Sequence, residues 1–328
     1  GELGRGAMGV VYRAQDPAIG RTVAVKTIRI GQFNDEREIQ HVQERMMREA
    51  QAAGILSHNN IVTIYDIQHE NGTAFIFMEY VDGDTLEKIL LADTPIDKQL
   101  ILSILKQAAE ALDYAHQRGI VHRDVKPANV LLLDGDPVLI DFGIAHLTDD
   151  VRLTSVGLVM GTPGYLAPEI IEGGQVTPAT DWWGWAASLA YAASGRPPFG
   201  RGAMDAVLAR VSRGEPDLDG VDPRLAPLLH AALSTRAGER PHRDEVVRAL
   251  EVYAHGGDVT DVIRVRPAAP QTQVLTAGST ARLPVPAPAQ GTPTPAPPPP
   301  ASRTPGPPRP QTVLLYTPDE PSDRPSAN

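Results

Sequence analysis

The stretch HRDVKPANVLL, His122–Leu132, sets an imidazole, a guanidinium, a carboxylate, an ammonium and an amide within eight residues, with apolar runs on both sides. A second carboxylate, Asp141, follows in PVLIDFG. Asp141 and Asn129 offer hard oxygen ligands of the kind Mg2+ prefers, with phosphate and water completing the octahedron. Asp124 can orient a hydroxyl and take its proton. Lys126 can neutralise charge on a phosphoryl group in transfer. Singly, each residue has a plainer use: Asp141 can cap a turn, and Asn129 can satisfy buried backbone. Taken jointly with the glycine-rich start of the chain and Lys26, they are hard to ascribe to coincidence.

The local pattern predicts what holds the cluster. NVLLL and PVLI read as short strands around the turn DGDP, so the cluster lies at the mouth of one hairpin arm and Asp141 at the end of the other. Upstream, GVVYRAQ, TVAVKTI, IVTIYDI and AFIFMEY read as strands, and Asn34–Leu56 has helical spacing. From Thr85 onward helices dominate; DKQLILSILKQAAEALDYAHQRG carries an apolar stripe and stops at Gly119. A strand-rich part followed by a helix-rich part is an α+β arrangement in two lobes.

The chain opens with Gly4-x-Gly6-x-x-Gly9. These glycines lead into Val10, Val11 and Tyr12, so they read as the turn of a hairpin and not as the start of a helix. Two uses stay open: a plain turn, or a backbone that lies close over phosphates. Lys26, in VAVK, either extends its stem along apolar surface or turns inward to hold phosphates. An inward ammonium needs a carboxylate. Glu49 is the candidate, with Glu44 read as a surface glutamate.

These motifs, in this order, resemble the protein kinases, and in detail the bacterial, actinobacterial-type Ser/Thr kinases of Hanks type. The resemblance runs from GRGAMGVV through VAVK, HRDVKPAN, DFG, GTPGYLAPE and DWWGW to ERPHRDEV. It implies a bilobal kinase fold. ATP is then the nucleotide, with Mg2+, or Mn2+ in its place. Gly4, Gly6 and Gly9 would cover the phosphates, and Lys26, paired with Glu49, would contact them. Asp124 would be the catalytic base, Lys126 would support the γ-phosphate, and Asn129 and Asp141 would bind the metal. Leu3, Val11, Ala24, Met78 and Leu131 would wall the adenine pocket, with the backbone of Glu79 and Val81 bonding the base. Ala53, Tyr65, His122 and Phe142 would stack as a spine between the lobes. Glu169 would pair with Arg240, and Asp181 would hold the catalytic-loop backbone. Lys126 and Thr162 match the Ser/Thr class.

The resemblance also implies a catalytic domain over residues 1–256, with the small lobe at about 1–80 and the large lobe at about 81–256. Residues 257–328 are assigned to a disordered, Pro-rich tail or juxtamembrane linker. The last 62 residues hold 18 of the 31 prolines, a composition that buries too little apolar surface to offset ordering entropy. Thr154 and Ser155, between DFG and APE, are the expected activation-loop phosphosites, with Arg123 as the receiving cation. In the tail, Thr260, Thr272 and Thr312 each precede an aliphatic residue by three positions. Two readings stay open: chance recurrence in an Ala/Pro/Thr/Val-biased composition, or autophosphorylation sites for a phosphothreonine-reading module such as a forkhead-associated domain.

The net charge of −10 argues against nucleic acid as a partner, and the absence of cysteine excludes disulfides and thiol chemistry. The expected partners are proteins bearing Ser or Thr, and a second copy of the chain. WWGWAASLAYAAS is too short to cross a bilayer, so it reads as a buried helix. The chain is expected in the cytoplasm, alone or as the cytoplasmic part of a membrane-anchored kinase. Gly1 falls inside the first strand, which implies missing residues before it. Two other functions compete. A pseudokinase scaffold would lack Lys26, Asp124, Asn129 or Asp141, and all four are present. A small-molecule phosphotransferase is opposed by GTPGYLAPE, a peptide platform in the kinases.

Overall fold

The computed structural model describes residues 1–6, 9–29, 44, 47–70, 72–92, 97–142 and 162–263. Five antiparallel strands form the small lobe: β1 (Glu2–Gly6), β2 (Gly9–Asp16), β3 (Arg21–Arg29), β4 (Ile64–Glu70) and β5 (Thr73–Glu79), in the order β1-β2-β3-β5-β4. Alternation sets the inner face of β5, where Ala74, Ile76 and Met78 are buried and their neighbours less so. Helix α1, residues 47–54, lays Ala50 and Ala53 into the core. Most of the expected start of this helix lies outside the described residues.

One sequence expectation fails in β4. Its register with β5 shifts between Ile64 and Asp66. Such an irregularity re-aims the side chains beside it. Tyr65 is 38% exposed, with the Arg21 guanidinium 3.4 Å from its ring centre. Ile64, not Tyr65, packs with Ala53 and Phe142. The remaining expected contact is present: the rings of His122 and Phe142 are 4.4 Å apart.

The large lobe starts with β6 (Asp84–Thr85), which joins β7 (Val130–Leu133) and β8 (Asp136–Leu139) in a small sheet. Asp134 and Gly135 both take positive φ, 53° and 94°, the turn that matches strand twist in a two-residue hairpin. Helix α2 (Leu86–Leu91) is capped by Thr85, whose hydroxyl accepts from Lys88 N. Helix α3 (Lys98–His116) buries Ile101, Ile104, Leu105, Ala108, Leu112 and Ala115 along one stripe. After α4 (Pro168–Ile171) comes α5 (Pro178–Ser194), the WWGW helix. It starts with Pro178 in its first turn, ends at Gly195 (φ 74°), and is buried from Thr180 to Ala192. Among the described residues no helix is long and apolar enough to cross a membrane. Trp185 donates from its indole to the Leu105 carbonyl, tying α5 to α3.

Helices α6 (Met204–Arg213), α7 (Ala226–Ala232) and α8 (Arg243–Ala254) complete the lobe. Residues 257–263, assigned to the tail from sequence, belong to this packing. Val259 is fully buried, its N–H donates to Arg224 O, and Arg224 donates to Gly256 O. Residues from 264 on lie outside the description.

Candidate active site

Three elements carry the site. The catalytic loop, His122–Asn129, runs into β7 through a short 3-10 turn, Pro127–Asn129. Asp181, at the start of α5, holds the loop from below: its oxygens accept from His122 N and Arg123 N, both at 2.7 Å. Gly184 lets the loop rest on α5, because a Cβ there would lie 2.3 Å from the Val125 carbonyl oxygen. Asp141 follows β8, and β3 brings Lys26 down from the small lobe.

Within the loop, Asp124 Oδ2 accepts from Lys126 Nζ at 2.6 Å and from Asn129 Nδ2 at 2.9 Å. Asn129 Nδ2 also donates to the Asp124 carbonyl at 2.7 Å. The amide nitrogen of Asn129 is therefore spent on Asp124, and among the described residues nothing donates to its Oδ1 or to Asp124 Oδ1. One oxygen of each side chain remains for other chemistry. His122 is fully buried. Burial pushes its imidazole below the ordinary value, against the pull of Asp181 and Asp124. A neutral ring fits its bonds: Nε2 lies 2.9 Å from the Ile140 carbonyl, and Nδ1 accepts from Asp124 N.

The ion pairs across the cleft differ from expectation. Lys26 Nζ lies 2.9 Å from Asp141 Oδ1. Glu49, expected to pair with Lys26, instead accepts from Arg123 Nη1 at 2.6 Å. Two acids and two cations meet here, and the side chain of Glu49 on α1 points to the loop guanidinium while β3 aims Lys26 at the end of β8. Burial alone would push the Asp141 carboxyl up. The Lys26 ammonium more than offsets this and holds it below the ordinary value, with His122 and Lys126 acting in the same direction.

Above the cluster is a cavity of about 400 Å³. Leu3, Val11 and Ala24 line it from the sheet, Met78, Glu79 and Val81 from β5 and the connection after it, and Leu131 from β7. Every residue expected to wall or edge an adenine pocket is thus brought to one space, with Asp141 at its inner end. The glycines divide by role. Gly4 lines the cavity with open space where a Cβ would stand. At Gly9 a Cβ would lie 1.6 Å from the Thr27 carbonyl oxygen, so this glycine is demanded by the approach of β3. Gly6 is the last residue of β1, and the tip between it and Gly9 lies outside the described residues. So do Thr154 and Ser155. Thr260 is exposed in a short turn, its hydroxyl donating to Asp258.

Sequence reasoning missed Asn60, Lys88 and Asp84. Asn60 is buried and donates to Pro137 O and Gln107 Oε1. Its position directly before Ile61-Val62 was the available signal. Lys88 and Asp84 form an ion pair at the cavity mouth. A larger cavity, about 530 Å³, lies by Arg213, His230 and Thr260 on the large lobe. It holds no acid–amide cluster, so chemistry and not volume locates the site.

The donor chemistry fits a divalent cation. Asn129 Oδ1 and the Asp141 carboxylate are hard oxygens, and Mg2+ commonly uses one or two protein ligands with phosphate and water. Among the described residues no three His, Cys, Asp or Glu side chains gather as an all-protein cage.

Residues 1–249 match the protein kinase domain model. The chain belongs to the protein kinase family, and its relatives place it with the bacterial serine/threonine kinases. It is 35% identical over 263 residues to the serine/threonine-protein kinase AfsK of Streptomyces coelicolor, covering 80% of this chain and 32% of that protein. It is 34% identical over 285 residues to PknD of Mycobacterium tuberculosis, covering 86% and 42%. For PrkC of Bacillus subtilis the identity is 35% over 252 residues, covering 76% and 38%. The chain thus spans less than half the length of these relatives.

Proposed function

We propose that this protein transfers the γ-phosphoryl group of ATP to serine and threonine hydroxyls of proteins. The observation that carries the reading is that Asp141 lines the cavity and pairs with Lys26, while Asp124, Lys126 and Asn129 are bonded together on the neighbouring hairpin arm, where Ile140 N donates to Asn129 O. Asp124 orients the acceptor hydroxyl and takes its proton through the oxygen not engaged by Lys126 and Asn129. Lys126 offsets charge on the transferred group. Asn129 and Asp141 hold Mg2+, or Mn2+, which when bound neutralises phosphate charge. Lys26 serves the α- and β-phosphates, and Leu3, Val11, Ala24, Met78 and Leu131 enclose the base. Gly4 gives the phosphates close backbone. Positioning and charge neutralisation supply most phosphoryl-transfer catalysis, and this set offers groups for both.

The test is labelled ATP with Mg2+ and a general protein substrate. Label on serine or threonine of protein is expected. Label on a small molecule alone, or none with nucleotide still bound, would overturn the reading in favour of a phosphotransferase or a scaffold.

Regulation follows the same chemistry. Phosphate on Thr154 or Ser155 adds about −1.5 to −2 charge, which Arg123 can receive. A second copy of the chain, as a homodimer, is proposed to deliver this phosphate. Mass mapping after autophosphorylation should find one of the two, and a Thr154→Ala, Ser155→Ala double variant should lose activity. Thr272 and Thr312, with the exposed Thr260, are proposed as phosphothreonines read by a forkhead-associated domain. Binding indifferent to Ala at all three would reject this. The chain is proposed to act in the cytoplasm, where ATP is available, alone or as the cytoplasmic part of a membrane-anchored kinase.

A further inference from the structure

The turn Pro163–Tyr165, which ends GTPGY, packs against α5 and α6. Two opposite charges reach Tyr165 from different elements. Burial pushes its phenol above the ordinary value, Tyr191 and Glu87 push the same way, and Arg201 opposes them. Glu87 lies in α2, two residues past Thr85, and Thr85 pairs with Leu131, two residues beyond Asn129. The surroundings of Tyr165 therefore adjoin the hairpin that carries the catalytic loop.

Arg201 is exposed, yet it is rigidly mounted. Gly200 and Gly202 flank it at φ 67° and 129°, a backbone that favours glycine. Arg210 of α6 grips the same loop, donating from Nε to Phe199 O at 2.7 Å and from Nη2 to Arg201 O at 3.4 Å. The Phe199 ring stacks on Trp183 of α5, with centres 5.3 Å apart. The Arg201 guanidinium is steadied by one bond, from Nη2 to the hydroxyl of the buried Tyr191 at 3.1 Å. Among the described residues no carboxylate pairs with it. A guanidinium presents its N–H donors as a planar fork suited to a carboxylate, and most of this fork stays open. Glu87 is the rival charge, but it stands in the first turn of α2, where the helix N-terminus already favours an anion. The charge of Arg201 is the one left uncompensated.

We infer that Arg201 is a specificity-determining residue: it selects protein substrates that carry a carboxylate side chain close to the acceptor serine or threonine, with Tyr191 aiming its guanidinium. The inference rests on the phosphotransfer reading above. Tyr191 stands ten residues along α5 from Asp181, the anchor of the catalytic loop. At 1.5 Å per residue that is about 15 Å, or roughly four to five residues of extended chain. The acid is therefore expected within about five residues of the acceptor.

A set of peptides tests this on the full chain. Each carries one threonine in an Ala/Gly background, with Asp, Ala or Lys scanned through the flanking positions on both sides. The quantity read is the ratio of kcat/KM between the Asp and Ala peptides, which cancels the fraction of enzyme that is folded. The wild type should favour Asp about five- to tenfold at one or two positions. The ratio should fall to about one in Arg201→Gln. In Arg201→Glu, Lys should become the favoured residue at the same position, which would make the contact direct. No preference for Asp in the wild type, or one that persists in either variant, overturns the inference. Peptides labelled at one rate whatever their charge reject Arg201 alone and leave the phosphotransfer reading standing. If neither the peptides nor a general protein substrate is labelled, that reading fails first and the inference falls with it.

Discussion

Two groups of ion pairs, one in the cleft and one in the large lobe, use the same residue types to opposite ends. In the large lobe Arg240 grips Glu169 with both ends of its fork, at 2.7 and 2.6 Å. It also donates to Ala179 O and Ser234 O and lies over the Trp183 ring. Its side chain is 1% exposed. In the cleft, the cations of the pairs Lys26–Asp141 and Arg123–Glu49 are 10% and 24% exposed. Arg123 Nε is buried with no bond to any described residue. A saturated pair can only be broken. A pair with donors to spare can be exchanged, and groups that handle phosphate must exchange partners. Saturation therefore separates the ion pair that builds the fold from the pairs that serve its chemistry.

The largest effect should come from the saturated pair. Arg240→Ala strands Glu169 and should cost about 3–5 kcal/mol of stability, read by denaturant unfolding. If the cost is under about 1 kcal/mol, the contrast between the two groups collapses. Asp141→Asn should lower transfer by about a hundred- to a thousandfold, about 2.7–4 kcal/mol of barrier, while unfolding stays near wild type. Near-normal turnover at saturating Mg2+ would remove Asp141 as a metal ligand.

The pH dependence sharpens the comparison on a group that bears no ion pair. His122 is held neutral by burial, its folded value lying below the ordinary 6.5. The unfolded chain then binds the extra proton first, so stability should fall as pH drops below about 6.5 toward the lower folded value. The slope is at most about 1.4 kcal/mol per pH unit from this group. His122→Phe should flatten that slope, and an unchanged slope would assign it elsewhere. The smallest stability effect is expected for Glu49→Gln, under about 1 kcal/mol, because the Arg123 pair is partly solvated. A loss as large as that of Arg240→Ala would make the cleft pair structural after all.

What could be read from sequence followed contiguity. Asp124, Lys126 and Asn129 stand within six residues, and the hairpin that presents them is closed by Asp134-Gly135, so both the cluster and its support are local. The adenine-side residues were reached through motif resemblance, and they do line one cavity. The partners that Lys26 and Glu49 take, Asp141 and Arg123, were not legible, because they depend on how α1 turns relative to β3, and charge alone does not say which acid a cation takes. Tyr65 was misassigned because a one-residue irregularity reverses which face a strand residue occupies. The end of the folded unit was set too early, at residue 256, because Val259 stands between Asp258 and Thr260, past the last helical stripe, where no periodic pattern marks it as buried.

The segment around Asn60 has a mechanical meaning. Val62 N donates to Leu139 O and Leu139 N to Asn60 O, so a few residues just ahead of β4 are sewn into the hairpin of the large lobe. Asn60 adds side-chain bonds to Pro137 and Gln107. The chain passes between the lobes a second time after Glu79. Two fixed crossings define an axle. Changes in cleft width are then rotations about the line joining them, and travel grows with distance from that line. Met78, next to the second crossing, would then travel little, and β1, three strands away from β5 in the sheet, would travel more. Such a rotation would change the width of the cavity at Gly4 far more than at the wall beside Met78.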